Sequence, residues 1–309
     1  MLDYRLQVFR KVAELQSITR AARALHLSQP AVTRHVRLLE ENLRIPLFIR
    51  APHGMRMTNA GLVYLQHVQQ IAQAHENIAQ HLQAATGVTS GRLRLGSNKT
   101  LLAFVLPERL ASFKQLFPSV QCDVLDGNTE TIIGALLDQR IDLALVEGPC
   151  QRPEIQTIPF LEDEIIWIAS PTSPLAKIQR PSAESILAQP LIVREIGAGS
   201  RQFMENHLQH LKFAPARLNL LQEIPSPEAI KRLVATGLGI GYVFRISVQA
   251  ELASGKLVQL NCPKLTLRKS FSLLYPQGPQ PMGLRQAFIQ VLMQFGKPHP
   301  ASKKPSKLP

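Results

Sequence analysis

Gln29, Thr33, Arg34 and Arg37 lie within two helical turns of one another, on what a helix would present as one polar face. Amide, hydroxyl and guanidinium groups so arranged hydrogen-bond to base edges and phosphates when a helix enters the major groove, and those nearest the helix N-terminus reach deepest. A second set sits far along the chain, where apolar runs end in polar residues: Ser97, Asn98 and Thr100 after RLRLG, Asn128 and Thr129 after VQCDVLDG, Glu147 after DLALV, and Arg194 after PLIV, with Ser200 close behind. Thr129 and Ser200 stand where helix N-caps are expected, and hydroxyls at helix starts beside an arginine suit a small anion, because a helix N-terminus offers free N–H groups. Glu147 opposes that reading, since an acid at the mouth would select an amine. No HExxH, nucleophile elbow or Walker loop occurs, and the G-x-G pairs in GAGSR (197–201) and TGLGIGY (236–242) lack the remainder of a dinucleotide fingerprint. The sequence therefore offers no catalytic residues and no cofactor.

The first set needs two short helices across a tight turn. Thr19 is placed to cap the first, with Ala21, Ala22 and Leu25 on one face and Arg20 and Arg23 outside. After a turn at His26–Ser28, Ser28 suits the N-cap of the second helix and Pro30 its first turn, followed by Ala31; Val32, Val36, Leu39 and Leu43 make the buried stripe. A basic Pro-containing loop with Arg50 and Arg56 completes a winged helix-turn-helix over 1–58.

Leu25, Ser28, Gln29, Pro30, Ala31, Val32, Thr33 and Arg34, then Leu39, Glu40, Leu43, Leu47, Phe48 and Arg50, stand at fixed spacing. This run resembles the DNA-binding domain of LysR-type transcriptional regulators, with Thr33 where Ser is commoner and a less basic wing, APHGMRMTNAG. The resemblance continues along nearly the whole chain. It implies double-stranded DNA and a small-molecule effector as partners, a homodimer or homotetramer, and RNA polymerase as a further contact. As contacts to DNA it points to Thr19, Ser28, Gln29, Pro30, Ala31, Thr33, Arg34, Arg37, Arg50 and Arg56.

The charge distribution agrees. The formal net charge is +13, and residues 1–60 carry ten Lys or Arg against four Asp or Glu, as a phosphate-binding surface requires. A basic tail over 297–309, with Lys297, Lys303, Lys304 and Lys307 among prolines, reads as disordered. No stretch approaches a membrane span or a signal peptide's apolar core, so a cytoplasmic protein is expected. Cys122, Cys150 and Cys262 form neither a disulfide framework nor a metal spacing, and His67, His75 and His81 lack ligand companions; no metal site follows.

Residues 59–89 read as one long linker helix whose apolar positions Leu65, Val68, Ile71, Ala72, Ile78, Ala79 and Leu82 recur every three to four residues. Such a stripe needs a partner, either a twin helix in another subunit or the helix's own chain. Beyond it, over 90–296, strand-like and helical runs alternate, which implies an α/β domain with parallel sheets, two open sheets being expected for this length. This part is similar to the family's effector domain, a two-lobed fold like type 2 periplasmic binding proteins. The similarity implies one lobe of about 91–163 plus 265–296, the other of about 164–264, and an effector held between them by Ser97, Asn98, Thr100, Asn128, Thr129, Glu147, Arg194 and Ser200. A ligand-independent architectural DNA-binding protein remains the alternative, since it needs no cleft.

Overall fold

The computed structural model describes residues 3–51, 54–85, 90–213 and 218–294, with the side chains of 73, 75–77 and 79–85 also left aside. It divides into two compact units, Met1–Val88 and Thr89–Pro309.

The first unit holds α1 (Tyr4–Leu15), α2 (Ile18–Ala24), α3 (Gln29–Leu43), a two-stranded wing of β1 (Phe48–Ala51) and β2 (Gly54–Met57), and α4 (Asn59–Ala85). Val8, Phe9, Val12, Ala21, Ala22, Val32, Val36, Leu39, Leu47 and Phe48 form its core, on which Tyr64 and Val68 of α4 also pack. Leu43 departs from the expected stripe at 40% exposure, because it is the last residue of α3. The first cap also differs: Ser17, not Thr19, accepts the N–H of Arg20, which starts α2 two residues earlier. Ser28 caps α3 by accepting the N–H of Ala31, with Pro in the first turn. Gly61 fits against the Leu47 carbonyl so closely that any Cβ would collide with it.

The second unit runs β3 (Gly91–Asn98), α5 (Lys99–Phe104), α6 (Leu106–Leu116), β4 (Val120–Gly127), α7 (Thr129–Leu137), β5 (Leu143–Glu147) and β6 (Ile155–Ala169). It continues through α8 (Ala183–Leu187), β7 (Leu191–Val193), α9 (Gly199–His210), β8 (Leu220–Glu223), α10 (Pro227–Ala235), β9 (Ile240–Phe244), α11 (Gln249–Ala253), β10 (Val258–Leu260), β11 (Leu267–Pro276) and α12 (Leu284–Gln294).

In place of two separate sheets, one hydrogen-bonded path runs β4-β3-β5-β11-β6-β9-β7-β8, with β10 beside β6. The reason is the 15-residue β6, which begins in the first lobe and ends in the second. β11 returns antiparallel along it, from Leu267 opposite Ile165 to Pro276 opposite Ile155, with a register shift between Phe271 and Ser272. The sheet is therefore mixed: β3 pairs parallel with β4 and β5, and β7 with β8 and β9, while β6 and β11 run antiparallel to their neighbours. A bulge on a shared strand pair bends it locally. The two lobes are thus joined by continuous backbone hydrogen bonding, not by loops alone.

Candidate DNA interface and effector cleft

On α3, Gln29, Thr33, Arg34 and Arg37 are all exposed. Thr33 donates its hydroxyl to the Gln29 carbonyl at 3.0 Å, and Arg37 pairs with Glu41 at 2.8 Å. Among the described residues Arg34 has no hydrogen-bond or ion-pair partner, so its guanidinium is available at no cost in internal contacts. Pro30 is exposed, and Ala31 and Thr19 are half-buried. Arg50 lies opposite Met55, and Arg56 opposite Ile49. Alternate residues of a strand face opposite ways, so the two wing arginines point to opposite faces. Met55 packs on the core while Ile49 is exposed, which leaves Arg56 on the outward face. Glu40, named in the sequence only as part of the spaced run, has a role that spacing did not reveal: its Oε1 accepts the N–H groups of Leu47 (2.7 Å) and Phe48 (3.0 Å), tying the end of α3 to the wing.

In the second unit the strand-end residues converge. Ser97, Asn98, Thr100 and Glu147 come from the first lobe, Arg194 and Ser200 from the second, and all six are buried. Asn128 and Thr129 are half-buried at the rim. The helix starts differ from expectation. Asn128, not Thr129, caps α7 by accepting the N–H of Thr131 at 2.8 Å; likewise Asn98 caps α5 through the N–H of Leu101. Ser200 is no cap either. The cap position of α9 is Ala198, and the Ser200 N–H donates across the cleft to Glu147 Oε2 at 2.7 Å. The anion already at that helix start is the protein's own. Arg194 is likewise engaged by Glu195, through Nε to Oε2 at 2.8 Å and Nη2 to Oε1 at 3.1 Å.

Three glycines let the lobes approach so closely. A Cβ on Gly199 would lie 2.7 Å from Glu147 Oε2, one on Gly197 2.8 Å from Asn128 Nδ2, and Phe203 covers Gly148. Burial pushes the Glu147 carboxyl above the ordinary carboxylate range, against the pull of the Arg194 guanidinium, the Thr100 hydroxyl and the Ser200 N–H. Glu147 Oε1, Asn98 Nδ2 and Thr129 Oγ1 are buried with no hydrogen-bond partner. Thr100, Arg194, Ser200, Tyr242 and Phe244 enclose a cavity of only about 10 Å³.

The comparisons decide the family. Residues 4–62 match the model of the bacterial regulatory helix-turn-helix protein, lysR family, and residues 86–297 that of the LysR substrate binding domain. The chain belongs to the LysR family of transcriptional regulators. It is 30% identical over 289 residues to the HTH-type transcriptional activator CmpR of Synechocystis sp., covering 94% of each chain. The Synechocystis CcmR regulatory domain in complex with 2-PG superposes with a TM-score of 0.61 at 26% identity, over 67% of this chain and 98% of that one. Full-length CbnR complexed with its target DNA shares the fold, with a TM-score of 0.69 at 19% identity over 95% and 99% of the two chains. The protein is accordingly a DNA-binding transcriptional regulator with a ligand-binding domain, in a family of regulators and not of enzymes.

Among the described residues no helix is long and apolar enough to cross a membrane, and no group of His, Cys, Asp or Glu gathers as metal ligands would. The basic tail and the side chains of His75, His81, Ala79 and Leu82 lie outside the described residues.

Proposed function

We propose that this LysR regulator acts in the cytoplasm as a homodimer or a higher homo-oligomer whose DNA affinity or geometry is set by a small anion bound between the lobes. The observation that carries the effector site is that strand-to-helix junctions of this domain hold buried, unpartnered polar atoms: Asn98 Nδ2, Glu147 Oε1 and Thr129 Oγ1. Native interiors leave few polar atoms unsatisfied, and a group that arrives from outside would satisfy them. Burial raises the pKa of Glu147, which eases its taking up a proton when an anion arrives beside it. Thr100, Ser97, Arg194 and Ser200 complete the shell, and the complex of the related CcmR regulatory domain with 2-PG supports a small ligand for this domain.

On the DNA side, Gln29 and Arg34 read bases while Ser28, Pro30, Ala31, Thr33, Arg37 and Thr19 lie along the backbone, with Arg56 and Arg50 on the wing. The exposed Ile71 and Ile78 of α4, 51% and 58% accessible, support pairing of this helix with a second copy, and RNA polymerase is the expected further contact. Effector binding shifts the population between lobe arrangements and so moves the heads.

Calorimetry of the full chain against inorganic anions, carboxylates, sugar phosphates and amines tests the effector class. Thr100→Ala is expected to weaken anion binding about tenfold, the loss of one hydrogen bond to a charged group. Binding of amines alone, or anion binding indifferent to Thr100→Ala and Ser200→Ala, overturns the assignment. The tight cleft, already latched by Glu147, favours the second reading of a ligand-independent DNA binder, and failure of every ligand class would establish it.

A further inference from the structure

The second lobe contains a chamber that the interlobe site does not use. Trp167 of β6, Leu191 and Val193 of β7, Leu208 of α9, Leu220 of β8 and Tyr242 of β9 enclose about 230 Å³ with mainly apolar walls. The pocket opens to the surface beside Leu220, which is 49% exposed, and a concave, mainly apolar space of this size with a few polar groups is what a ligand site looks like. Trp167 and Tyr242 meet at the floor, their ring centroids 5.0 Å apart, and the Trp167 N–H is already satisfied by the Leu265 carbonyl.

Tyr242 differs. The residue is 3% exposed, and its hydroxyl, which makes no hydrogen bond among the described residues and is not one of the fully buried unpartnered atoms, opens onto the pocket. A buried phenol normally finds a partner. The charges near it belong to Glu205, Arg201 and Arg194, of which the first two line the chamber and Arg194 the interlobe cavity.

Those charges define the head group. Arg201 donates from Nε to Glu205 at 2.7 Å and from Nη1 to Glu223 at 2.5 Å, so two carboxylates surround one guanidinium. A ligand carboxylate would meet an arginine already doubly paired and a net negative charge, and would lose its hydration for nothing in return. We propose that this chamber is a second ligand site, distinct from the interlobe cleft, for a neutral, compact apolar molecule with a single hydroxyl that pairs with the Tyr242 hydroxyl. The chamber is placed to communicate with the cleft: Tyr242 borders both cavities, and Arg201 Nη1 donates to the Arg194 carbonyl at 2.8 Å.

Trp167 is the chain's single tryptophan, so its emission reports on the chamber directly. Menthol and cyclohexanol, which do not absorb where tryptophan is excited, are titrated into the full-length protein, with cyclohexanecarboxylate as the anionic counterpart. The expected result is a saturable change in Trp167 emission with the alcohols and not with the carboxylate. Leu208→Phe, which fills the chamber, abolishes the response in protein that still melts cooperatively. Tyr242→Phe keeps the packing and weakens alcohol binding about fivefold, the worth of one hydrogen bond.

A response that is absent, or that survives Leu208→Phe, overturns the site. Equal binding of the carboxylate, or alcohol binding indifferent to Tyr242→Phe, overturns the head-group assignment. Trp167 emission that changes with protein concentration alone shows the chamber covered by a second copy and likewise refutes the proposal.

Discussion

Gly199→Ala is the sharpest probe of how the lobes are held together. Two effects oppose each other. Gly199 is the first residue of α9, and replacing a helical glycine by alanine gains at most about 1 kcal/mol in propensity. Against that, the new Cβ would stand 2.7 Å from Glu147 Oε2, 2.9 Å from Glu147 Cβ and 3.4 Å from its carbonyl oxygen. Glu147 is buried at the end of β5, every residue of which is buried, so neither its backbone nor its side chain has room to yield. The start of α9 must move instead, and the Ser200 N–H to Glu147 bond across the cleft breaks. A hydrogen bond to a charged group is worth about 1.5–3 kcal/mol, so the loss outweighs the gain by about 0.5–2 kcal/mol. The cleft opening constant rises by roughly 2- to 30-fold, and amide hydrogen exchange at Ser200 speeds up by the same factor. The melting temperature falls or stays level. Unchanged Ser200 protection with a higher melting temperature would refute the claim that Glu147 latches the lobes.

The remaining predictions concern both units. Arg34→Ala should leave stability within about 0.5 kcal/mol, since the side chain is exposed, while costing about 1–3 kcal/mol of operator affinity at matched salt. Arg37→Ala, whose side chain is shared with Glu41, should instead weaken all sequences alike and lower the salt slope by about 0.9, measured by titration at several salt concentrations. Glutamate at both Ile71 and Ile78 should dissociate the oligomer in sedimentation, because charge on an exposed apolar stripe cannot be buried against a twin helix; an intact oligomer counts against α4 as the seam. The raised pKa of Glu147 means that the folded chain holds this proton to higher pH than the unfolded one. Its stabilising contribution is complete below the ordinary value of 4.5 and is lost as pH rises through the raised value. Denaturant titrations should therefore show Glu147→Gln gaining on the unsubstituted protein as pH rises above 4.5, and a constant difference would mean that the carboxyl is ionised throughout.

Local chemistry made much of this protein legible in its sequence. The Ser28 cap, the Pro30 first turn and the Val32, Val36 and Leu39 stripe place α3 and leave Gln29 and Arg34 outside, because each rule acts within one or two turns of chain. The polar strand ends from Ser97 to Ser200 could be named for the same reason: residues that follow an apolar run and precede a helix sit where strands hand over to helices. Caps that compete within a residue or two were harder, and Ser17 and Asn128 took the places expected for Thr19 and Thr129. Only tertiary structure decided the rest. The single mixed sheet depends on β6 being long enough to enter both lobes, which hydrophobic runs cannot reveal because pairing partners lie about a hundred residues apart. Nor does any local pattern bring Glu147 against the Ser200 amide or leave the Tyr242 hydroxyl beside an apolar chamber. Those relations arise where distant segments pack, and there burial sets both the protonation of the acid and the chemistry that a ligand must bring.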